Sequence, residues 1–495
     1  MSKIIIQNGN MCELDIPLKY AQKLYNEFAI RHPNAFYLRT RQRGMQNWDG
    51  KIHYITKTGQ FKIGLLPKVY DMCIEMGIKP KVVDMRQPLP KVSRVVTNIG
   101  NYKLRPEQEK AVKSVIKNKV GDLPFHIGVL DYTVNAGKTL IMTSLYLSYK
   151  KQLKTLLITN DSDWLNQARE EFKQYLPGED ITFVQGKVLN WSNFTIGMVQ
   201  SISRNMRFYQ KELSQIDMVL VDEADQGGSK QYQNVITRLF NTRVRIGLSG
   251  TIYMSKLAKD RVKNMNLECF FGEVLAEFKL KDSIKKGYST KTIVKMVPGK
   301  PWYGNWESNH ISYKEIYDDS ITFNKYAKRM AYSRLQWNLN QGRYPALVVC
   351  KHIAHCENLY KFFKKKLGDA YNIAYVHVNT KSKLRKQIMS DFREGKIDIL
   401  VSTTIIARGK NFLKLKYLLN AASMDSQEKS IQFLGRLVRT DKSKKKVYLD
   451  DLHYPGNYLD RHGKHRKQYY QRQELKVILL DKLWKKHPNH SLIKI

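Results

Sequence analysis

A chain of 495 residues is longer than one hydrophobic core organises, and ordinary domain sizes divide it into roughly three. Hydrophobic residues at 42% and aromatics at 11% exclude a disordered chain. Lys and Arg number 85 against 44 Asp and Glu, a formal +41, and a surplus of that size collects polyanions by counterion release. Nucleic acid is therefore expected as the partner, ahead of a merely basic or ribosome-associated role. Cys12, Cys73, Cys269, Cys350 and Cys356 are scattered and show no C-x-x-C spacing, which supports neither a disulfide framework nor a zinc ribbon. No stretch approaches a membrane span, and "MSKIIIQNGNMCELDIP" is too weakly apolar for a signal peptide. The expectation is a soluble cytoplasmic protein, in the host cytoplasm if the chain is viral, acting as a monomer without a membrane.

Residues 1–90 read as a small α+β nucleic-acid-binding domain, with "LKYAQKLYNEFAI" at helical spacing and "KIHYITKTGQFKIGLL" as two strands around a Thr-Gly turn. "DMRQPLPKVSRVVTNIGNY" carries two prolines and a glycine and is expected to be a linker. Over 100–290, β-branched runs ("TLLIT", "TIGMVQ", "MVLVDEA", "VRIGLSGT") alternate with helical stretches, the pattern of a parallel sheet covered by helices. A second interruption, "VPGKPWYGNW", precedes a similar unit over 291–455 containing "ALVVC", "IAYVHV", "DILVST", "YLLNAAS" and "KVYLDD". No internal sequence repeat joins the two units. Residues 456–495 read as a basic helical extension, its helical pattern running through "QELKVILLDKLW", with "RHGKHRKQYYQR" as a solvated face or a duplex contact.

Chemistry concentrates at three places. "LDYTVNAGKTL" ends as a phosphate-binding loop, but Tyr132 stands where the first glycine of G-x-x-x-x-G-K-[ST] belongs. A strand before it and a helix after it place Gly137, Lys138 and Thr139 at a helix N-terminus, where free N–H groups attract phosphate. Lys138 can neutralise β/γ oxygens and the Thr139 hydroxyl can ligate Mg²⁺. "MVLVDEADQGG" then delivers Asp222 and Glu223 from the carboxyl end of an apolar strand, one to hold the metal and one to orient or deprotonate water. "QFLGRLVR" places Arg436 and Arg439 three apart, neighbours on one helix face that can meet a single anion.

In order, "LRPEQEKAV", "VNAGKT", "LLITN", "GMVQSI", "VDEAD", "LSGT", "ALVVCKHIAHCENL", "VSTTIIARGKNF" and "QFLGRLVR" resemble the motifs of superfamily 2 helicases over about 105–440. "RTRQRGMQNWDGKIHYI" is similar to the N-terminal domain of the bacteriophage UvsW-type group. Three positions depart from common patterns: Tyr132, Lys410-Asn411 in motif V, and Gln432 where many relatives have His; Gln is usual in the DNA-translocating branch.

The resemblance implies an α/β fold of two tandem RecA-like parallel-sheet motor domains behind the N-terminal domain, and an ATP- and Mg²⁺-dependent, DNA-stimulated motor remodelling forks, Holliday junctions, D-loops or R-loops in phage recombination, repair and replication. It assigns Arg105 and Gln108 to adenine; Asn135, Ala136, Gly137, Lys138 and Thr139 to the phosphates; and Thr139 and Asp222 to the metal. Glu223 becomes the base, Asp225, Ser249 and Thr251 a relay, and Gln432, Arg436 and Arg439 the γ-phosphate partners. Asn160, Gln200, Ser201, Thr380 and Thr403 would follow a strand, and Arg39, Arg41, Arg43 and Trp48 would form a phosphate-binding surface with one stacking ring. An RNA or RNA–DNA hybrid helicase and a catalytically weak nucleic-acid-binding protein are the alternatives.

Overall fold

The computed structural model describes residues 2–41, 45–149, 152–160, 162–188, 191–252, 258–299, 312–407, 412–425 and 427–480. These fall into two units, Met1–Phe278 and Lys279–Ile495. No helix among the described residues is long and apolar enough to cross a membrane.

The first unit begins with a four-stranded sheet in the order Gln60–Lys62, Met11–Asp15, Lys3–Ile6, Lys81–Asp84. Alternation in Lys3–Ile6 turns Ile4 and Ile6 inward, as period-2 patterning requires. The expected Thr-Gly turn forms, with Gly59 at φ 83 and an antiparallel bridge between Ile55 and Phe61. Its two flanking strands nevertheless join different sheets, because Lys51–His53 pairs with Ala29–Arg31 instead.

This sheet shares one hydrophobic core with the rest of the first unit: Ile4, Leu24 and Leu66 cluster with Val129, Val221 and Phe271. Arg245, fully buried, donates to Asn10 Oδ1 at 2.9 Å and to the Phe270 carbonyl at 3.1 Å. The proline-bearing passage lacks regular structure over residues 88–97. It is nonetheless fastened down, since Val96 N donates to Ser148 Oγ at 2.9 Å and Ser144 Oγ donates to the Val96 carbonyl at 2.6 Å.

The large sheet of this unit comprises β1 His126–Tyr132, β2 Thr155–Thr159, β3 Ile181–Val184, β4 Phe194–Met198, β5 Met218–Asp222, β6 Val244–Ser249 and β7 Val274–Phe278. Every pairing is parallel, in the order β3-β4-β2-β5-β6-β1-β7. Strands β1, β2, β5 and β6 are buried along their whole length, which is why they are predominantly apolar, with Arg245 in β6 and Asp131 in β1 as buried exceptions.

The second unit repeats this plan. Its strands are β8 Lys291–Pro298, β9 Ala346–Cys350, β10 Ile373–Val376, β11 Ile399–Thr403, β12 Tyr417–Asn420, β13 Lys446–His453 and β14 Lys476–Leu479. Their all-parallel order is β10-β11-β9-β12-β13-β8-β14, the same permutation as in the first sheet. Tandem RecA-like α/β domains, preceded by a small α/β sheet, are thus the architecture.

One sequence expectation fails at the C-terminal end. The helix there is Asn457–Arg472, and "KVIL", read as helical, is strand β14 on the edge of the sheet beside β8. Edge pairing gives β-branched Val477 and Ile478 a ladder that an isolated helix period cannot compete with. That helix keeps an exposed face at Arg461, Lys464 and Arg472 while its other side packs inward: fully buried Arg466 forks onto Asp451 at 2.8–3.0 Å, and Tyr470 donates to the same carboxylate at 2.8 Å. Residues 481–495, with the rest of that predicted helix, lie outside the described residues, as do 300–311 of the second interruption.

Candidate functional site

The strand order assembles the first site. The phosphate-loop candidate follows β1 and the acidic pair follows β5, and β6 lies between them in the sheet. Register sets Asp131 opposite Ser249 and Asp222 opposite Leu248, so three loops emerge side by side at the carboxyl edge.

The loop turns through two left-handed residues, Asn135 at φ 64 and Gly137 at φ 73, and the helix Lys138–Ser148 starts directly after. Asn tolerates that backbone and Gly adopts it freely. A Cβ on Gly137 would also come within 2.3 Å of Gln108 Nε2. Gln108 is 1% exposed and donates to the Ala136 carbonyl at 2.9 Å, while its Oε1 accepts from Arg105 N at 2.8 Å. The residue assigned to adenine thus ties the loop to the N-terminus of the helix Pro106–Ile116. Tyr132 is 0% exposed and donates to the Glu107 carbonyl at 2.7 Å, fastening the loop's first position to the same turn.

Lys138 Nζ lies 3.7 Å from Asp222 Oδ1. That carboxylate oxygen is buried and has no hydrogen-bond partner among the described residues. A hard divalent cation with oxygen ligands, Mg²⁺ above all, fits such a donor, and Thr139 is the residue after Lys138 in the first turn of the helix. Glu223 sits at φ 53, a left-handed backbone costing a non-glycine residue about 1–2 kcal/mol. Asp225 accepts from Ser249 Oγ at 2.7 Å, and Ser249 Oγ meets Thr251 Oγ1 at 3.0 Å, so the predicted relay is a continuous hydrogen-bonded group. Burial pushes the Asp225 carboxyl above its ordinary range, opposed by these hydroxyls and by the charges of Lys263 and Lys138.

The strand-following candidates continue along the same edge. Asn160 follows β2, and Gln200 and Ser201 lie in the helix Val199–Arg204 after β4, the neighbour of β2. Gln200 Nε2 donates to the Asn160 carbonyl at 3.3 Å, and the Asn160 side-chain amide donates to Gln226 Oε1. Gln226, one residue beyond Asp225, is a link that motif reading did not single out. Ser201 Oγ instead accepts from Gly186 N at 2.9 Å.

In the second unit Thr380 follows β10, its Oγ1 accepting from His377 N at 3.0 Å, and Thr403 ends the adjacent β11. Arg436 lies in the last turn of the helix Gln427–Leu437, which also carries Gln432. Arg439 falls beyond that helix, so the shared-face reading of the two arginines does not hold. The chain turns extended there because Thr290 N captures the Val438 carbonyl at 2.6 Å and Arg439 bridges Ser289. Lys444, another residue missed from sequence, caps the helix by donating to the Leu437 carbonyl at 3.0 Å and the Leu415 carbonyl at 3.1 Å; burial lowers its pKa to about 8. Lys410-Asn411 lies outside the described residues.

In the N-terminal region Arg39 and Arg41 are exposed in the last turn of the short helix Ala35–Arg41, and Arg43 lies outside the described residues. Trp48 is half-buried, donates its indole N–H to the Lys51 carbonyl at 2.9 Å and stands edge-on to His32.

Two family models match this chain, the type III restriction enzyme res subunit over residues 101–254 and the helicase conserved C-terminal domain over 328–441. Together they span more than half of it, the first covering β1 to β6 and the second β9 to β12. The chain belongs to the superfamily 2 helicases. This helicase is 22% identical over 391 residues to putative helicase 22 of a Sulfolobus islandicus filamentous virus, covering 72% of the chain and 65% of that relative's length. It aligns with a fragment of a putative HsdR subunit of a type I restriction enzyme from Vibrio vulnificus at TM-score 0.56 and 15% identity, over 76% of this chain and 67% of that one. T4 UvsW aligns over 97% of this chain and 98% of its own at TM-score 0.44 and 19% identity.

Proposed function

We propose that this helicase hydrolyses ATP to translocate on DNA and thereby unwinds or branch-migrates forks, four-way junctions, D-loops or R-loops. The observation that carries the reading is the placement of Lys138 Nζ 3.7 Å from Asp222 Oδ1, at the carboxyl ends of β1 and β5, with the Ser249–Asp225 relay between them. The N–H groups that open the helix Lys138–Ser148 and the Lys138 ammonium receive the β- and γ-phosphates. Asp222 and Thr139 would hold Mg²⁺, which when bound would supply charge neutralisation. Glu223 takes the proton of the attacking water as its oxygen bonds to the γ-phosphorus and the bond to the ADP oxygen breaks. We assign Arg436 and Arg439 to the charge developing on the γ-phosphoryl group, with Gln432 beside them. Gln108 and Arg105 remain the candidates for adenine, Gln108 also supporting the loop through the Ala136 carbonyl.

DNA is favoured over RNA by Gln432 at the head of motif VI and by the N-W-D-G segment; the +41 balance suits either nucleic acid. The test is ATP turnover against forked, four-way and linear duplex DNA, RNA and RNA–DNA hybrid. The expected result is strongest stimulation by branched DNA; strongest stimulation by RNA overturns the DNA assignment. Lys138→Ala should reduce turnover on the order of 10²–10³-fold, the scale of losing one preorganised charge partner, while DNA binding persists. Undiminished turnover in that variant overturns the site.

A further inference from the structure

The N-W-D-G segment singled out from sequence is built as a scaffold. Asp49 Oδ1 accepts from Lys51 N at 2.9 Å and Asp49 Oδ2 pairs with His53 Nε2 at 2.7 Å. His53 stacks on Tyr25 with ring centroids 4.0 Å apart. Gly50, at φ 77, brings the chain so near Ala35 that an added Cβ would lie 3.1 Å from the Ala35 methyl, and the Gly50 carbonyl accepts from His32 N at 2.8 Å. These bonds, with the Trp48 N–H on Lys51, fix where the helix Ala35–Arg41 stands. Trp48 is thereby part of the support.

The rings presented outward belong to that helix. Phe36 is 79% exposed and Tyr37 56% exposed, adjacent residues whose faces no apolar cluster covers among the described residues. Arg39 and Arg41 stand exposed on the same helix, with the Arg41 guanidinium 4.9 Å from the Tyr37 ring centroid. Between Ala29 and His53 the chain has Arg31, Arg39, Arg41, Arg43 and Lys51 against one acid, Asp49, already paired with His53. The largely exposed Phe36 ring and the Tyr37 ring, which carries the Arg41 guanidinium on one face, stand inside a basic surface and match the chemistry of unpaired bases on a phosphodiester backbone, where rings stack bases and arginines meet phosphates. The support is fastened to the first unit: Tyr54, one residue after His53, donates to Asn266 Oδ1 in the helix Ala258–Phe271 at 3.0 Å, and Arg245 ties Asn10 of the neighbouring four-stranded sheet region to the Phe270 carbonyl.

We infer that Phe36 and Tyr37, flanked by Arg39 and Arg41, form a stacking platform for unpaired DNA bases exposed at a junction, fastened to the first unit through the N-W-D-G scaffold. The inference rests on the proposed action on branched DNA. The experiment uses the full chain and a forked DNA carrying 2-aminopurine at the first unpaired positions, with a linear duplex as reference, measured without ATP and then by ATP turnover. Wild type should change the 2-aminopurine fluorescence on binding. Phe36→Ala/Tyr37→Ala should abolish that change and weaken fork binding about ten- to hundred-fold, the range of base stacking on aromatic side chains, with duplex binding and melting temperature unaltered. Trp48→Phe, which removes the indole N–H but leaves the Asp49, Gly50 and His53 contacts, should keep the fluorescence change; its loss in Trp48→Phe with the double variant unaffected would make Trp48 the stacking ring and overturn the platform. Equal weakening on fork and duplex, or fork binding unchanged in the double variant, overturns the platform. Tighter binding of an RNA fork with the same dependence on both rings overturns DNA as the occupant. Failure of the functional reading is separable, because it appears as absence of DNA-stimulated turnover in wild type.

Discussion

Tyr132 illustrates how one residue departs from a motif for a packing reason. The consensus glycine exists where a phosphate loop must turn closely, and here the left-handed work is done by Asn135 and Gly137 while Tyr132 ends a fully buried strand and anchors Glu107. Restoring consensus should therefore harm the protein: Tyr132→Gly is expected to cost about 3–5 kcal/mol, the cost of deleting a buried aromatic, read by chemical denaturation. Tyr132→Phe should cost about 1 kcal/mol, the net worth of its hydrogen bond. Histidines set the pH response at this scale. Burial lowers His126 to about 4, His355 to about 3 and His462 to about 4, below the ordinary 6.5. The unfolded chain then binds more protons than the folded one between those values and 6.5, so stability is full above pH 6.5 and falls on acidification. Melting temperature should drop progressively from pH 6.5 to 4.5, at about 1.4 kcal/mol per pH unit for each such histidine, and His126→Phe should flatten the drop.

Among elements, the carboxyl edge of the first sheet joins the phosphate loop, the acidic strand and the strand-following segment in one row. Each was legible from sequence as a strand followed by a particular loop, because apolar β-branched runs and turn residues are local signals. The Gln200–Asn160–Gln226 connection was not, since it depends on β4, β2 and β5 being neighbours. Gln226→Ala should leave unstimulated ATP turnover unchanged and reduce its stimulation by DNA about five-fold or more, a coupling of about 1 kcal/mol. Equal loss of both would assign Gln226 to the catalytic loop itself. Arg439 departs from the shared helix face for a related reason: spacing alone extends a helix through it, but the Ser289–Thr290 segment and the Lys444 cap end the helix at Leu437.

At the level of the molecule, the two sheets share one strand permutation although the sequence carries no visible repeat. A parallel sheet constrains burial and connection length far more than residue identity, so two units can keep the order and lose the resemblance. The N-terminal sheet is built into the first unit by a shared core and the buried Arg245. Tyr54 links the segment that carries the proposed platform to the same unit.

Sequence by itself determined the alternating α/β character, the charge that selects nucleic acid, and the positions of Lys138, Asp222 and Glu223, because each depends on a few consecutive residues and their backbone geometry. Tertiary structure decided what depends on distant neighbours. It turned "KVIL" into an edge strand beside β8, made Arg466 a buried clamp on Asp451, and drew Trp48 into a scaffold while leaving Phe36 and Tyr37 outside. Burial and strand adjacency are sums over the whole fold, and no window of sequence contains them.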